Sequence, residues 1–560
     1  MRKFRYSVIF LLSLGILCGC LAIRAQKSHD AAVARMLNTF TALVKELERN
    51  YVDTIRSEEL LETAVGAMLS TVDPYTEYYT AEQQQDLTLM QTGEYGGVGS
   101  YIVQRQDSGT YISGPYEGSP AALAGLKAGD RIVRIDSIDT RKIGSQKVSD
   151  LLKGQPGSTV NVEIIRPYTQ DSVLNFAIER KKVKRPSVPY WGVIDGRTGY
   201  IQLTGFIEDS PKEVREALEC FKANPEIKEV VLDLRGNGGG LVESAVEIVG
   251  NFVPKGTEVL RTKGRDKLNE KTYKTTKAPL MPDIPLAVLI DGGSASSSEI
   301  TAGALQDLDR AVLVGSRSYG KGLVQSTRPL PYDGVLKVTV AKYYTPSGRL
   351  IQALDYSRRN PDGSVARTPD SLTNVYKTAH GREVRDGGGL VPDSTVEWGT
   401  VNRLVYNLVR DNIVFDFATK YLAEHPEIPS PENFEVTDEI YDEFKAFVDP
   451  AQLKYDKVCE DLVKQLKEVA KAEGYVTPEV EQQLDALSTT LKHDLNHDLD
   501  QHRDQISTYI ASELMQRKYF ERGETRQSLN NDKGFKKAVD ILRDKDKLAS
   551  ILGQGNIKNK

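Results

Sequence analysis

Apolar residues recur at helical spacing near the start of the chain. Leu37, Phe40, Val44 and Leu47 fall on one face, as do Leu61, Val65 and Met68, so residues 26–90 read as a small helical module. The Asp73-Pro74 step then breaks the pattern. From about residue 91 the period shortens to strands and turns, with strands expected at Thr110 to Ser113, Arg131 to Ile135 and Thr159 to Ile165. Ser119-Pro120-Ala121-Ala122 opens a short helix ending near Gly125, and Ser149 to Lys153 suggests a second. Between 181 and 400, apolar runs at Val230 to Leu234, Leu286 to Ile290 and Ala311 to Val314 alternate with helical stretches. Those stretches are Leu241 to Val253 and a segment ending near Leu308, and the alternation predicts an α/β layer on a substantial sheet. After residue 400 glycine becomes scarce. Val458, Leu462, Leu466 and Val469 mark one amphipathic helix, and Leu484, Leu487, Leu491, Leu495 and Leu499 a longer one. At 560 residues the chain exceeds a single core, and segments 1–25, 26–90, 91–180, 181–400 and 401–560 are the natural divisions.

The first 25 residues stand apart. Arg2, Lys3 and Arg5 precede an apolar run from Val8 to Leu17, short for a spanning helix and suited to a secretory signal. Leu17-Cys18-Gly19-Cys20 resembles a lipoprotein box acylated at Cys20, whereas Ala25-Gln26 suits simple cleavage, and retention as an uncleaved anchor is a third outcome. All three place the body outside the cytoplasm, in the periplasm or cell envelope. Beyond this segment only Cys220 and Cys459 remain, which excludes a disulfide framework; a single pair is conceivable, and two isolated core cysteines are the simpler reading. A net charge of −5 gives no electrostatic case for nucleic acid.

Candidate chemistry centres on Asp291-Gly292-Gly293-Ser294-Ala295-Ser296-Ser297-Ser298-Glu299, between a predicted strand and a predicted helix. A serine there sits on a tight turn against free helix amides, as in nucleophile elbows; Ser296-x-x-Glu299 is equally a capping-box pattern. A histidine base is poorly supplied. Of six histidines only His380 falls in the α/β region. Lysine is the alternative, because burial disfavours its charge, and Lys321 lies between two glycines just after a predicted strand. The loop Asp233-Leu234-Arg235-Gly236-Asn237-Gly238-Gly239-Gly240 follows a strand and precedes a helix. It reads as a phosphate cradle or an oxyanion hole, although Leu241 stands where a P-loop requires Lys-Ser/Thr. His493 and His497, four apart beside Asp494 and Asp498, have a spacing that suits zinc but read better as a solvated helix face.

Two resemblances sharpen this. Gly96-Gly97-Val98-Gly99-Ser100-Tyr101-Ile102 with Ser119-Pro120-Ala121-Ala122 and Ala124-Gly125-Leu126-Lys127-Ala128-Gly129-Asp130 resembles a PDZ domain. Gly293 to Asp307, followed by Val314-Gly315 and Tyr319-Gly320-Lys321-Gly322-x-Val324-Gln325, resembles the active-site signature of the tail-specific, or carboxy-terminal processing, proteases. Tyr51-Val52-Asp53, Asp73 to Tyr78, Tyr343 to Arg349 and Gly389 to Asp393 fit the same family, so the resemblance runs over roughly residues 36 to 400. It implies a multidomain chain: a helical N-terminal module, a PDZ domain, an α/β protease core with a central sheet, and a helical C-terminal extension to which it gives no role.

The resemblance also implies a serine endopeptidase with Ser296 as nucleophile, Lys321 as general base and Gln325 orienting the lysine. Gly238 or Gly239, with the Ser297 amide, would form the oxyanion hole. Asp307 matches an acidic position of the family. A polypeptide's C-terminal tail would enter the PDZ groove, its carboxylate held at Gly97, Val98 and Gly99. No cofactor or metal is implied. An adaptor that binds protein tails without catalysis is the alternative. The C-terminal extension could assemble subunits into a homo-oligomer, bind an adaptor or regulatory protein, or pack on the core.

Overall fold

The structure, a computed structural model, describes residues 30–554 apart from 106–107, 171–172, 361, 450–452, 454–457 and 493. The predicted signal segment with Cys20, and His493, therefore lie outside the described residues. Two compact units appear. The smaller comprises the N-terminal residues through Thr80 together with Thr327–Val338, and the larger holds the rest.

In the smaller unit, helices over residues 30–50 and Ser57–Ser70 precede a strand Glu77–Tyr79, which pairs antiparallel with Val335, Leu336 and Lys337. Leu37, Phe40 and Met68, which mark the helical spacing, are exposed.

The larger unit contains three bodies. The first is an antiparallel sheet in which Ser100–Arg105, Gly109–Pro115, Arg131–Ile135, Thr159–Ile165 and Val173–Glu179 lie side by side in that order. Alternate residues point inward to a core of Ile112, Ile132, Val160, Val162 and Ile164. Two helices, Pro120–Ala124 and Ser145–Leu152, pack on it, the first capped by Ser119, whose hydroxyl accepts from the Ala122 amide. Ser145–Leu152 begins earlier than its leucines suggest, because Val148 is the inward residue of its first turn.

The second body is a six-stranded sheet ordered Tyr190–Ile194, Thr198–Gln202, Glu229–Asp233, Leu286–Ile290, Val312–Gly315, Ser394–Thr395. Its first pair is antiparallel and every later pair parallel. Parallel strands need both faces covered, which is why the central strands read as continuous apolar runs. One face is covered by helices Ser210–Ala223, Val242–Val249 and Ser297–Asp307, through Val214, Leu218, Phe221, Ile248, Ile300 and Leu305.

The other face is covered by the C-terminal extension. Phe535, Ala538, Val539, Ile541 and Leu542 of helix Lys533–Arg543 pack on Tyr200, Val231, Ala287, Leu289, Val312 and Val314. The rest of the extension has its own core around Phe417, Phe434, Phe444, Ile506, Ile510 and Leu514, and forms the third body. The single long helix expected over Leu484–Leu499 is two, Pro478–Thr490 and Leu495–Gln501. The Asp494 carboxylate accepts from the His497 amide and starts the second. The cysteines are not core residues: Cys220 and Cys459 are exposed and unbridged. In helix Ser210–Ala223 the inward positions are Val214, Ala217, Leu218 and Phe221, which leaves Cys220 facing solvent.

Candidate active site

Ser296 stands between the C-terminal end of strand Leu286–Ile290 and helix Ser297–Asp307, with φ 55° and ψ −113°. A positive φ in a residue with a Cβ is strained and persists only where its surroundings fix it. They do so from three sides. Asp291 Oδ1 accepts from the Gly293 and Ser294 amides (2.9 and 3.1 Å) and from the Gly236 amide (2.9 Å), tying the turn to the glycine loop. Ser294 Oγ donates to the Leu234 carbonyl at 2.8 Å. The Ser296 carbonyl accepts from the Ile300 amide at 2.8 Å and from the buried Tyr343 hydroxyl at 3.2 Å.

Glu299 is the organising group. It is completely buried, and it accepts four hydrogen bonds. Its Oε2 takes the Ser296 amide and the Lys321 amide, each at 2.9 Å; its Oε1 takes the Gly320 amide at 2.7 Å and the Ser318 hydroxyl at 2.5 Å. Two turns 25 residues apart in sequence thus share one carboxylate oxygen, which brings the backbones of Ser296 and Lys321 within twice that 2.9 Å distance. Burial pushes the Glu299 carboxyl up from its usual range, and the four donors pull it back down. The capping-box pattern is genuine, and the carboxylate that makes it also fixes the lysine loop.

The glycines beside Lys321 have a steric reason. Gly320 has φ +90°, and a Cβ on it would stand 2.4 Å from the Ala353 Cβ; one on Gly322 would stand 2.9 Å from the Gln352 nitrogen. The segment 350–353 lies against the loop, and the Gly320 carbonyl accepts from the Ala353 amide at 2.9 Å. Gln325, four residues on, donates from Nε2 to Thr339 Oγ1 at 3.1 Å.

The glycine loop closes over the serine. A Cβ on Gly239 (φ +101°) would fall 2.8 Å from the Ser296 Cβ and 2.9 Å from the Ser297 nitrogen, so only glycine allows this approach. Buried Asn237 shapes the loop. Its Nδ2 donates to the Leu203 carbonyl at 2.7 Å, its Oδ1 accepts from the Gly239 amide at 2.9 Å, and its carbonyl accepts from the Ala295 amide and the Ser298 hydroxyl. The Gly239 amide is therefore occupied. The amides of Gly238 and Ser297 have no intramolecular acceptor among the described residues.

Asp307 and His380 lie at the far end of helix Ser297–Asp307, whose eleven residues span roughly 16 Å. Asp307 pairs with fully buried Arg349 at 2.7 Å and accepts from the Thr345 hydroxyl and the Ser347 amide, locking the late Tyr343–Arg349 motif onto the helix. His380 Nδ1 meets the Leu552 carbonyl at 2.7 Å, and its backbone amide donates to Asp309, two residues beyond that helix end. It lies one helix length from Ser296, whereas the Lys321 backbone amide shares a carboxylate oxygen with that of Ser296. Among the described residues, the cluster of acidic and histidine side chains able to hold a metal is Glu424, His425 and Glu443, exposed in the helical extension. His497 lies on a different helix of that extension.

In the first sheet, Gly96 and Gly97 extend a strand Glu94–Gly97 that pairs with Lys181–Lys184, so the open loop is shorter than its glycines suggest. The Val98 and Gly99 carbonyls accept from Ala121 and Tyr116, while their amides have no acceptor among the described residues. Gly99 has φ +77°, and a Cβ there would stand 2.6 Å from that of Ser119. Among the described residues, strand Ser100–Arg105 pairs on one side only, with Gly109–Pro115, and so presents an open edge.

The sequence motifs missed the full role of Glu299, legible only as a helix cap, and those of Asn237 and Ser318. They also did not specify that residues beyond 528 cover the sheet's outer face.

Comparison with known proteins agrees with this architecture. Residues 197–362 match the model of peptidase family S41, 111–166 a PDZ domain, and 404–542 the C-terminal helical domain of probable PDZ-proteases. The carboxy-terminal-processing protease of Bartonella bacilliformis is 34% identical over 356 residues, covering 62% of this chain and 80% of the relative. The carboxyl-terminal-processing protease of a Picosynechococcus species is 38% identical over 312 residues, covering 55% and 73%. Among solved structures, a photosystem II D1 C-terminal processing protease aligns at 26% identity and a TM-score of 0.34, covering 64% of this chain and 92% of that one. The chain belongs to the carboxy-terminal-processing protease family, serine proteases of peptidase family S41 that carry a PDZ domain.

Proposed function

We propose that this protein is an exported endopeptidase that cleaves polypeptides through a Ser296–Lys321 pair. The observation that carries the reading is the shared Glu299 oxygen, which holds the serine turn and the lysine loop side by side. Lys321, as the neutral amine, takes the Ser296 hydroxyl proton while Oγ attacks the scissile carbonyl. The amides of Ser297 and Gly238 receive the oxyanion; the occupied Gly239 amide favours Gly238 as the second donor. Lys321 then protonates the leaving amine, an acyl-enzyme remains on Ser296, and a water deprotonated by Lys321 releases it. Gln325, on the strand that follows the lysine loop, orients the lysine side chain. The chemistry needs no cofactor.

Substrate selection falls to the PDZ domain. A substrate's C-terminal segment adds as a strand to the open edge of Ser100–Arg105, and its carboxylate meets the open amides of Val98 and Gly99, next to Gly97. Residues 1–25 direct the chain to the cell envelope.

A serine-directed acylating probe, followed by peptide mass mapping, tests the catalytic reading. The label is expected on Ser296 and absent from Ser296→Ala. A label on another serine, or none on a folded wild-type chain, overturns it, the latter in favour of a non-catalytic tail-binding adaptor. The PDZ reading predicts that amidating the C-terminus of a tail peptide abolishes binding.

A further inference from the structure

The glycine loop is anchored at its start by a residue of the C-terminal extension. Arg235 leaves strand Glu229–Asp233 just before Gly236. Its guanidinium is gripped between two carboxylates, Asp233 (Nε to Oδ1 2.9 Å, Nη2 to Oδ2 2.5 Å) and Asp532 (Nη2 to Oδ2 2.6 Å). The Tyr200 hydroxyl donates to Asp233 at 2.7 Å, and the Trp398 ring lies 5.3 Å from the guanidinium carbon. Asp532 is mostly buried. It also caps helix Lys533–Arg543, accepting from the Phe535 amide at 2.8 Å, and that helix is the one that seals the outer face of the catalytic sheet.

We propose that Asp532 is a positioning residue for catalysis, acting through Arg235 to set the loop Gly236–Gly240 against Ser296. The inference rests on the reading that Gly238 donates to the oxyanion. Two residues separate Arg235 from Gly238, and there the loop is held by the Gly236 amide on Asp291 and by Asn237. Asp233, fixed in the central strand and by the Tyr200 hydroxyl, holds the guanidinium from one side only. Asp532 supplies the fixed outside point. The C-terminal extension is thereby part of the catalytic apparatus, and its last long helix both closes the core and registers the oxyanion loop.

The test is Asp532→Ser in the full chain. Serine keeps the helix cap but is too short to hold the guanidinium. Expected is a fall in kcat of about ten-fold with KM unchanged, as loss of alignment without loss of binding predicts. Affinity for a peptidyl boronic acid, whose adduct places an anionic oxygen in the hole, should fall by a similar factor. Binding of a tail peptide to the PDZ domain should not move. Asp544→Ser, which makes the same cap substitution at the start of the next helix, Lys545–Ile551, should retain wild-type kcat.

Wild-type kcat and boronate affinity in Asp532→Ser would overturn the proposal. So would an equal loss in Asp544→Ser, which would mark a general effect of loosening the extension. If Asp532→Ser does not fold, Arg235→Lys carries the same test, since lysine cannot bridge both carboxylates in the same plane. Ser296→Ala separates the two levels of the argument. If it still cleaves, the catalytic reading itself fails. If it is dead while Asp532→Ser is fully active, only the positioning role fails.

Discussion

Replacing Glu299 by glutamine changes one atom's chemistry and almost no volume, yet should disable the site. The carboxylate accepts four hydrogen bonds, two on each oxygen. Glutamine keeps one acceptor oxygen and turns an amide nitrogen towards the other two donors, which are then unpaired in a buried setting. Hydrogen bonds to a charged group contribute roughly 1.5–3 kcal/mol each, so two lost bonds amount to about 3–6 kcal/mol. Relief of the buried charge opposes this, in the direction the raised Glu299 value requires, so the net change in stability should be small, within about 1–2 kcal/mol. The larger effect is on rate. If the amide nitrogen replaces Oε2, the serine turn and lysine loop lose their shared acceptor; if it replaces Oε1, Gly320 and Ser318 of the lysine loop come loose, and in either case a displacement approaching 1 Å costs about 100-fold in kcat. Steady-state cleavage of an unstructured peptide, run beside urea denaturation and tail-peptide binding, measures all three quantities. Activity within two-fold of wild type would refute the argument that Glu299 aligns the pair.

The same group gives a pH signature. Burial raises the folded-state value of Glu299, so the folded form holds a proton more tightly than the unfolded chain. Its burden on stability is absent below the ordinary carboxylate range and fully felt above the raised value. Acidification through that window should therefore lower activity, by breaking the four-donor arrangement, while this group's contribution to stability improves.

Three further outcomes follow from particular contacts. Gly239→Ala places a Cβ 2.7 Å from the Ala295 carbonyl at a positive φ; kcat should drop at least ~10-fold while the PDZ domain still binds peptide, as kinetics and titration calorimetry would show. Burial also raises Glu521 and Glu524, the latter accepting from Ser512, with Arg185 the opposing cation near Glu521. Glu521→Gln should raise the melting temperature at pH 7.5, with the gain vanishing as pH falls below the ordinary carboxylate range. Truncation after Ser528 removes Phe535, Val539, Ile541 and Leu542 from the sheet's outer face. At about 1.5–3 kcal/mol per side chain this approaches the whole stability of a domain, and the product should be insoluble or bind a hydrophobic dye.

The strands of the catalytic sheet were legible because parallel strands buried on both faces leave unbroken apolar runs, as in Val230–Leu232 and Leu286–Ile290. That same feature implied a second covering layer, but nothing local says which segment supplies it; Phe535 and Leu542 lie over 200 residues beyond the strands they cover. The turns at Ser296 and Lys321 were marked in the sequence by a strand–turn–helix junction and a doubly glycine-flanked lysine, patterns that pointed to chemistry only through the family resemblance. The link between them was not, since Glu299 acts through backbone amides, and an amide carries no residue-specific mark in the sequence. Leu484–Leu499 misled because its leucines keep helical spacing straight through a break that Asp494 restarts.

The most direct test of the account is cleavage of an unfolded reporter protein by the chain lacking residues 1–25, with Ser296→Ala and Lys321→Ala run in parallel at matched folding. The account predicts cleavage by the wild type and its loss in both variants. Cleavage persisting in either folded variant would contradict the Ser296–Lys321 pair.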